Sequence, residues 1–502
     1  MDEKKLGTMD SAAQSFQSEK PLGPLRSADS IEAGAKFTSG ETKRLLRKMD
    51  WNIVPFLALL YLLSFLDRTN IGNARLDTLE KDLKMTGPLD YNIALAVFFP
   101  WYVAAEIPSN IMMKRTSPSL WLAIIMFAWG VCMTLMGLVK NYHSLLVVRM
   151  ALGLAEGGLF PGVTWYITLW YRRHECGFRM ALFFSAATLA GAFGGLLARG
   201  ITEMRGIGGR PGWAWIFILE GLLTVLVAIV AKFVIHDSPE TARFLTEEEK
   251  VEVKARMKQD RNALADEFHS KFVTAALKDW KIYIHMLITI GIYTPLYSIS
   301  LFLPTIVNGM GYSKTQSQLM SVPPYVAGCI ATIAGGLLAD RYKQRGLFMI
   351  GFCATAVVGF VMLISTHKPA VQYVGTFFAV CGIYPNVPMG VAWNGNNIGG
   401  ATKRAVGIAM HVGFGNLGGV IAGFVYRKAD APRYFQGHGL LIATTTMSLC
   451  LSTFMHFYLK RENARRDALM RDKGLTLETY TDDMRTTERE KGDDATFFRF
   501  TI

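Results

Sequence analysis

The chain has 502 residues, of which 51% are hydrophobic and 19% are charged. A soluble protein usually has about 25% charged residues, and here the charges concentrate in residues 1–50, 236–281 and 460–502. This argues against a soluble protein and predicts an integral membrane protein with polar ends and a polar central loop. The net charge of +13 does not indicate nucleic-acid binding, because the basic residues flank apolar runs, as the positive-inside bias predicts.

Twelve apolar runs follow in chain order, and a helix needs about 20 such residues to cross a bilayer. Six precede the central loop and six follow it, which predicts an all-α membrane protein with two six-helix halves. The predicted spans are 51–72, 91–113, 119–139, 144–171, 179–201, 213–235, 281–308, 316–339, 346–366, 370–394, 404–426 and 438–459.

The spans divide the chain into five segments. They are an N-terminal tail (1–50), a first half (51–235), a central loop (236–280), a second half (281–459) and a C-terminal tail (460–502). The excess of Lys and Arg in the polar segments predicts that both termini and the central loop are cytoplasmic.

Asp67 and Arg68 end an uncharged stretch in the first span, where each charge costs about 2.5–3.5 kcal/mol in a membrane helix. Asp67 lies about 24 Å along this helix, at a depth similar to that of Arg149 in the fourth span, so we predict an ion pair between them. Glu156 follows two turns after Arg149 on the same face. Arg68 would then have no fixed partner. Alternatively, the pair only fixes helix packing and Arg68 snorkels to the interface.

Other acids at membrane depth also lie in the first half. Glu106 and Glu220 are interpreted as structural, whereas the interior of the second half contains only His285 and His411 as titratable candidates. The pattern therefore predicts that proton coupling belongs to the first half and that the second half supplies neutral contacts.

Two tyrosines stand four residues apart in the seventh span. Tyr293 and Tyr297 share a helix face and are candidates for substrate binding. Pro295 and Pro304 are expected to break this helix.

The tenth span contains "YPNVPMGVAWNGNN". Pro385 and Pro388 weaken a helix here, and freed backbone groups are tolerated only where they are buried or line a cavity. Asn394, and Asn416 in the eleventh span, could hydrogen-bond a planar polar substrate. Hydrogen bonding between helices remains an equal alternative for both.

A loop between the eighth and ninth spans reads "GGLLADRYKQR". It resembles the G-x-x-x-D-R-x-x-x-R signature of the major facilitator superfamily, matched by Gly336, Asp340, Arg341 and Arg345. The usual second glycine of that signature is Lys343 here.

The counterpart in the first half, "EIPSNIMMKR" (106–115), lacks the Gly and Asp of the signature. Together with "DRTNIGNA" and "RMALGLAEGGLFPG", this resembles the anion:cation symporter family, and within it the fungal allantoate and nicotinic-acid permease branch. "RLLRKMDWNIVP", "GIYPNVPMGVAWNGNN" and "DAPRYFQGHG" strengthen the resemblance, which covers about 41–460.

The resemblance implies the major facilitator fold and alternating access of its two halves. It also implies roles for four residues: Arg68 binds the anionic group of the substrate, Asp67 and Glu156 carry the transported proton, and Arg149 is an ion-pair partner. The function expected is proton-coupled import of a small organic monoanion such as nicotinate or allantoate. One arginine suits a single carboxylate, and the aromatic residues Tyr293, Tyr297 and Trp393 suit a small ring.

Two alternatives remain: a nutrient sensor built on a transporter scaffold, and a facilitator or exchanger without proton coupling. An enzyme is not expected, since the sequence lacks a G-x-S-x-G, P-loop or H-E-x-x-H motif and a metal-ligand cluster. We expect no cofactor, with the proton gradient as the energy source. The expected partners are the organic anion, protons and membrane lipid, without nucleic acid, for a monomer in the plasma membrane.

Overall fold

The computed structural model describes residues 37–172, 175–261, 270–431, 433–472, 474 and 488–502. Regular structure within these residues is helical. The α-helices are α1 (Ser39–Leu76), α2 (Leu79–Asp82), α3 (Asp90–Ala96), α4 (Phe98–Arg115), α5 (Pro118–Met136), α6 (Tyr142–Glu156), α7 (Leu159–Trp170), α8 (Cys176–Thr202), α9 (Gly212–Val234), α10 (Glu247–Arg261), α11 (Ser270–Lys278), α12 (Trp280–Gly309), α13 (Lys314–Met320), α14 (Val322–Tyr342), α15 (Arg345–Ser365), α16 (Pro369–Ile383), α17 (Asn386–Asn396), α18 (Ala401–Asn416), α19 (Gly418–Val425) and α20 (Phe435–Asp472).

Eleven helical stretches of these described residues are long and apolar enough to cross a membrane. They match eleven of the predicted spans, several of them as two helices in line, for example α6 with α7 and α16 with α17. The remaining predicted span, 91–113, consists of α3 and α4, which meet at Val97. The helix α4 has 18 residues, and three of them, Glu106, Lys114 and Arg115, are charged. We call α1–α9 the first half and α12–α20 the second half.

The first helix begins before the predicted first span. Thr38 and Glu41 form a capping box, in which the Thr38 amide donates to Glu41 Oε2 (2.7 Å) and the Glu41 amide to Thr38 Oγ1 (3.3 Å). This reciprocal cap satisfies orphan amide groups and starts the helix at Ser39 rather than near Trp51. We call the end of the bundle at which α1 begins the near end, and the opposite end the far end.

The central loop is partly helical. Its helix α10 packs on the near end of the first half through two ion pairs: Lys48 Nζ lies 2.6 Å from Glu249 Oε2, and Arg256 Nη2 lies 2.5 Å from Glu175 Oε1. Arg256 is buried at this contact. The polar loop therefore belongs to the packed structure of the near end.

The C-terminal residues 488–502 return to the near end of the second half. Asp493 is fully buried there and accepts hydrogen bonds from Lys281 and Lys403, each at 2.6 Å. Burial alone would raise the pKa of Asp493, but the two ammonium groups outweigh it and hold the pKa below its ordinary value. The carbonyl oxygen of Thr501 accepts from Trp393 Nε1 (2.9 Å). We call residues 488–502 the C-terminal segment.

The two halves meet closely at the far end. A Cβ atom at Gly72 of α1 would lie 2.6 Å from the carbonyl oxygen of Leu301 in α12, so this crossing requires glycine. Nearby, Asn92 Nδ2 donates to the carbonyl oxygen of Gly423 (2.5 Å). These contacts place the far-end part of α1 directly against the second half.

Candidate transport site

Asp67 and Arg68 point to different neighbours, because adjacent residues on a helix are rotated by about 100°. Arg68 faces α6, where its Nη2 lies 2.5 Å from Glu156 Oε1. Asp67 faces α5 and α9, and its Oδ2 accepts from Trp129 Nε1 (3.0 Å) and Thr224 Oγ1 (3.1 Å). Arg68, with 3% of its surface exposed, and Glu156, with none, form a buried ion pair.

Arg149 does not pair with Asp67. Its Nε donates to the carbonyl oxygen of Ala94 (3.1 Å), and its guanidinium carbon lies 5.2 Å from the centre of the Phe98 ring. The predicted Asp67–Arg149 ion pair is therefore wrong for this structure, and so is the prediction that Arg68 has no fixed partner. Depth along the helices suggested the pair, but the direction of each side chain decides it.

Aromatic rings surround the Arg68–Glu156 pair. Glu156 Oε1 also accepts from Ser64 Oγ at 2.5 Å, one turn before Arg68 on α1. A guanidinium near aromatic faces is attracted by their quadrupoles. The rings within 6 Å of the Arg68 guanidinium carbon are Tyr102 (4.9 Å), Phe98 (5.2 Å), Tyr297 (5.7 Å) and Phe65 (5.9 Å).

A chain of hydrogen bonds leads from Arg68 into the second half and back. Arg68 Nη1 donates to the Tyr297 hydroxyl (3.2 Å), which donates to Asn416 Oδ1 (2.7 Å). Asn416 Nδ2 in turn donates to Glu106 Oε2 (3.4 Å). We call these four residues the cross-half chain, because α1 and α4 belong to the first half while α12 and α18 belong to the second.

The structure brings two predicted substrate-binding residues, Tyr297 and Asn416, to Arg68. It also brings Glu106 to Asn416, although Glu106 was interpreted as structural. The only sign of Glu106 in the sequence was an acidic residue at membrane depth. Tyr293 lies beside the chain, its ring centre 6.0 Å from that of Tyr297. Asn394 lies elsewhere, with its Nδ2 at 3.5 Å from the carbonyl oxygen of Gly407.

The proline positions have unequal effects. α12 continues through Pro295 and Pro304, so the predicted break in the seventh span is wrong. Prolines are tolerated in membrane helices where neighbouring helices compensate, and α12 packs against α1, α18 and α20. The tenth span is interrupted as predicted: α16 ends at Ile383, and α17 begins at Asn386 after Pro385.

A separate acidic group lies between α1 and α9. Asn70 Nδ2 donates to Glu220 Oε2, and Asp67 is held one turn earlier on α1. Glu220 has 4% of its surface exposed, and its Oε1 has no hydrogen-bond partner among the described residues. This group faces away from Arg68.

The signature loop connects α14 and α15 at the near end. Arg345 Nη2 donates to Asp340 Oδ1 (2.8 Å), and its Nη1 donates to the carbonyl oxygen of Ala392 (3.0 Å). Lys343 has φ of 54°, the left-handed conformation that favours glycine. Arg341 is exposed.

The first glycine of the loop packs against the first half. A Cβ atom at Gly336 would lie 2.6 Å from the Cβ of Ala181 in α8. On the other side of this contact, a Cβ atom at Gly177 would lie 2.5 Å from Arg345 Nη2. The loop therefore touches the start of α8 and joins the two halves at the near end.

A bundle of membrane-spanning helices with a charged centre shared by its halves is the architecture of a membrane transporter. A sequence profile of the Major Facilitator Superfamily matches residues 57–423. The chain belongs to this superfamily, as its signature loop implied.

Similar proteins include fungal transporters. An uncharacterised transporter of Schizosaccharomyces pombe is 38% identical over 86% of this chain and 89% of its own length. The MFS-type transporter cnsO of Penicillium expansum is 35% identical over 93% and 92%. The high-affinity nicotinic acid transporter of Saccharomyces cerevisiae is 33% identical over 85% and 80%.

Solved structures share the fold. The xylose transporter XylE of E. coli, in a partially occluded inward open conformation, has a TM-score of 0.61 at 14% identity and covers 81% of this chain and 96% of its own. A bacterial homologue of the human lysosomal transporter Spinster has a TM-score of 0.57 at 14% identity, with 82% and 96% covered.

Proposed function

We propose that the protein imports a small organic monoanion together with protons by alternating access of its two halves. The substrate class is a nicotinate-like or allantoate-like carboxylate. The protein would lie in the plasma membrane. Its near end, which is rich in Lys and Arg, would face the cytoplasm. The observation that carries the proposal is the buried ion pair between Arg68 and Glu156.

The ion pair supports coupling through its charge balance. When the site is empty, Arg68 and Glu156 neutralise each other. A substrate carboxylate can take the place of Glu156 on the guanidinium, in a bidentate geometry, once Glu156 has bound a proton. The loaded site is then neutral as well, whereas an anion or a proton alone leaves one unpaired charge. Burying such a charge costs several kcal/mol, so neither an anion nor a proton alone allows the halves to close over this pair.

The surroundings support a ring-containing acid. Tyr102, Phe98 and Tyr297 present aromatic faces within 6 Å of the Arg68 guanidinium carbon, and a flat ring attached to the carboxylate could stack among them. The nicotinic acid transporter among the relatives agrees with this substrate class.

The test is uptake of radiolabelled nicotinate into proteoliposomes with and without an inside-alkaline pH gradient. Accumulation above the external concentration that collapses when a protonophore removes the gradient is the expected result. Unlabelled allantoate, pantothenate and biotin as competitors would define the specificity. Exchange of internal for external nicotinate without gradient-driven accumulation would instead establish the exchanger, and binding without flux would establish the sensor.

A further inference from the structure

Glu106 is a buried acid without an ion-pair partner in the described chain. It lies in the middle of α4 with 1% of its surface exposed, and its Oε2 accepts from Asn416. Its Oε1 has no hydrogen-bond partner within the residues that the structure describes. A purely structural acceptor here would be served as well by glutamine, without the cost of burying a charge.

The titratable and charged groups that face Glu106 come from several helices. Tyr102 lies one turn before it on α4, and Tyr293 and Tyr297 face it from α12. On α18, Gly413 packs against its carboxylate, while His411 hydrogen-bonds Thr289 instead. From α1 and α6, Arg68 and Glu156 connect to it through Tyr297 and Asn416.

The cross-half chain can carry two opposite hydrogen-bond directions. In the first, Tyr297 donates its hydroxyl hydrogen to Asn416, and Asn416 donates to an ionised Glu106. In the second, a protonated Glu106 donates to Asn416 Oδ1, and the Asn416 amide group donates to the Tyr297 oxygen. The Tyr297 hydroxyl hydrogen is then free to donate to another acceptor beside Arg68.

We propose that Glu106 is a second proton-binding residue, which acts through Asn416 to turn the Tyr297 hydroxyl towards the substrate carboxylate. This inference rests on the proposed function, since the substrate carboxylate would sit at Arg68. One proton adds to a Glu106 oxygen when the anion binds and leaves when the anion leaves, and no covalent bond changes in the substrate. Glu106 is thus a positioning residue for the anion site.

The first test counts protons. Calorimetric titration of nicotinate in two buffers of different ionisation enthalpy gives the number of protons taken up per anion. We expect about one proton fewer per anion in Glu106→Gln than in the natural protein. The glutamine amide donates to Asn416 as the protonated acid would, so the affinity of Glu106→Gln should lose part of its pH dependence while nicotinate still binds. Asn416→Ala, which leaves Glu106 in place but cuts the chain, should also lose that part of the pH profile.

Glu220→Gln is the matched control. Glu220 is a similarly buried glutamate with an asparagine partner, Asn70, outside the cross-half chain. Its proton count should equal that of the natural protein. If Glu106→Gln takes up as many protons as the natural protein with the same pH profile, the inference is wrong while the symport proposal stands. No proton uptake in the natural protein would overturn the symport proposal itself.

A second test needs no substrate. Infrared difference spectra between acid and alkaline pH display the carbonyl stretch of carboxyl groups that gain a proton. A buried-carboxyl band that is absent in Glu106→Gln, displaced in Asn416→Ala and unchanged in Glu220→Gln is the expected result. If no band of the substrate-free protein is lost in Glu106→Gln, Glu106 does not bind a proton and the inference is overturned.

Discussion

The two halves have the same number of spans but bury their charges at different depths. The second half has neutral polar groups at membrane depth, notably Tyr293, Tyr297 and Asn416. Buried charged residues lie at and around its near end: Asp279, Arg345, Lys403, Arg466 and, in the C-terminal segment, Asp493. In the first half the buried charged residues at membrane depth are Asp67, Arg68, Glu106, Arg149, Glu156 and Glu220.

The two halves share an architecture but differ in the charged groups that they bury at membrane depth. A charge at membrane depth costs about 2.5–3.5 kcal/mol, so six such residues in one half indicate a use that offsets the cost. At the near end, charges such as Asp493 and Lys403 meet in buried ion pairs. The first half therefore holds the buried charges at membrane depth, and the second half contributes neutral hydrogen-bonding groups there and ion pairs at its near end, which we call the rim.

Replacing Arg68 should have the largest effect. Arg68→Ala removes the cation and leaves Glu156 buried without its partner, which costs about 3–5 kcal/mol for a buried pair, so nicotinate binding should be lost. Arg68→Lys should also bind poorly, because an ammonium group cannot reproduce the bidentate fork. Isothermal titration calorimetry measures the nicotinate affinity of both variants.

Arg75→Ala is the control. Arg75 lies two turns farther along α1 and is paired with Glu80, so Arg75→Ala should keep normal affinity. Near-normal affinity in Arg68→Ala would rule out Arg68 as the residue that binds the substrate's anionic group.

Replacing Glu156 should separate exchange from accumulation. Glu156→Gln imitates the protonated acid and frees Arg68 for the anion, so nicotinate counterflow should persist. Accumulation driven by a pH gradient should fall well below that of the natural protein, since Glu156 can release no proton and only the proton proposed for Glu106 would still be coupled. Both assays use the same proteoliposomes. Full accumulation would move the coupling proton away from Glu156, while loss of both activities would assign Glu156 to structure or direct substrate contact.

Asp493→Asn should have a moderate effect on the rim of the second half. The neutral side chain loses two charge-assisted hydrogen bonds, but Asp279 still contacts Lys403 at 2.7 Å, so we expect about 2 kcal/mol of weaker docking of the C-terminal segment. The folded-state pKa of Asp493 is below its ordinary value. Its contribution is therefore full above the unfolded pKa of about 3.9 and disappears as the pH falls through the folded pKa.

Thermal unfolding in detergent between about pH 8 and pH 3 measures this contribution. The difference in melting temperature between the natural protein and Asp493→Asn should be constant near neutral pH and shrink in acid. The neighbouring exposed Asp494 is the control, and Asp494→Asn should leave the melting temperature unchanged. Equal melting temperatures at neutral pH for Asp493→Asn and the natural protein would show that the rim charges do not hold the segment.

The smallest effect concerns Asp67 and Arg149. Because they contact different neighbours, Trp129 with Thr224 and Ala94 respectively, the effects of Asp67→Asn and Arg149→Gln on melting temperature should add. Their coupling in a double-mutant cycle should be below about 0.5 kcal/mol. A coupling above that value, in stability or in uptake, would show that the two residues pair in another conformation of the transport cycle.

The fold was largely predictable because membrane helices must satisfy their backbone internally, so span positions follow from apolar length. The ends of α1 and α20 were not, since the polar stretches that lengthen these helices have no hydropathic signal. The capping box at Thr38 and Glu41 was a readable signal for the start of α1.

The sequence predicted which residues meet at the candidate site, but it did not predict which of them pair with each other. Arg68, Glu156, Tyr297 and Asn416 meet as candidates from four different spans, but the partner of Arg68 depends on a rotation of about 100° between adjacent side chains. Depth along a helix does not contain this information. The contact of Glu106 with Asn416 was not predictable for a similar reason, because it joins residues that are far apart in the sequence.

The long ends of α1 and α20 have a practical consequence for imaging. α1 begins 12 residues before Trp51, and α20 continues 13 residues past Leu459, which corresponds to about 18 Å and about 20 Å of helix at 1.5 Å per residue. Together with α10, these helix ends extend the near end of the bundle, and we expect them to stand outside the detergent belt. They give electron-microscope images of a small membrane protein an asymmetric landmark, so particles can be aligned without an attached antibody fragment.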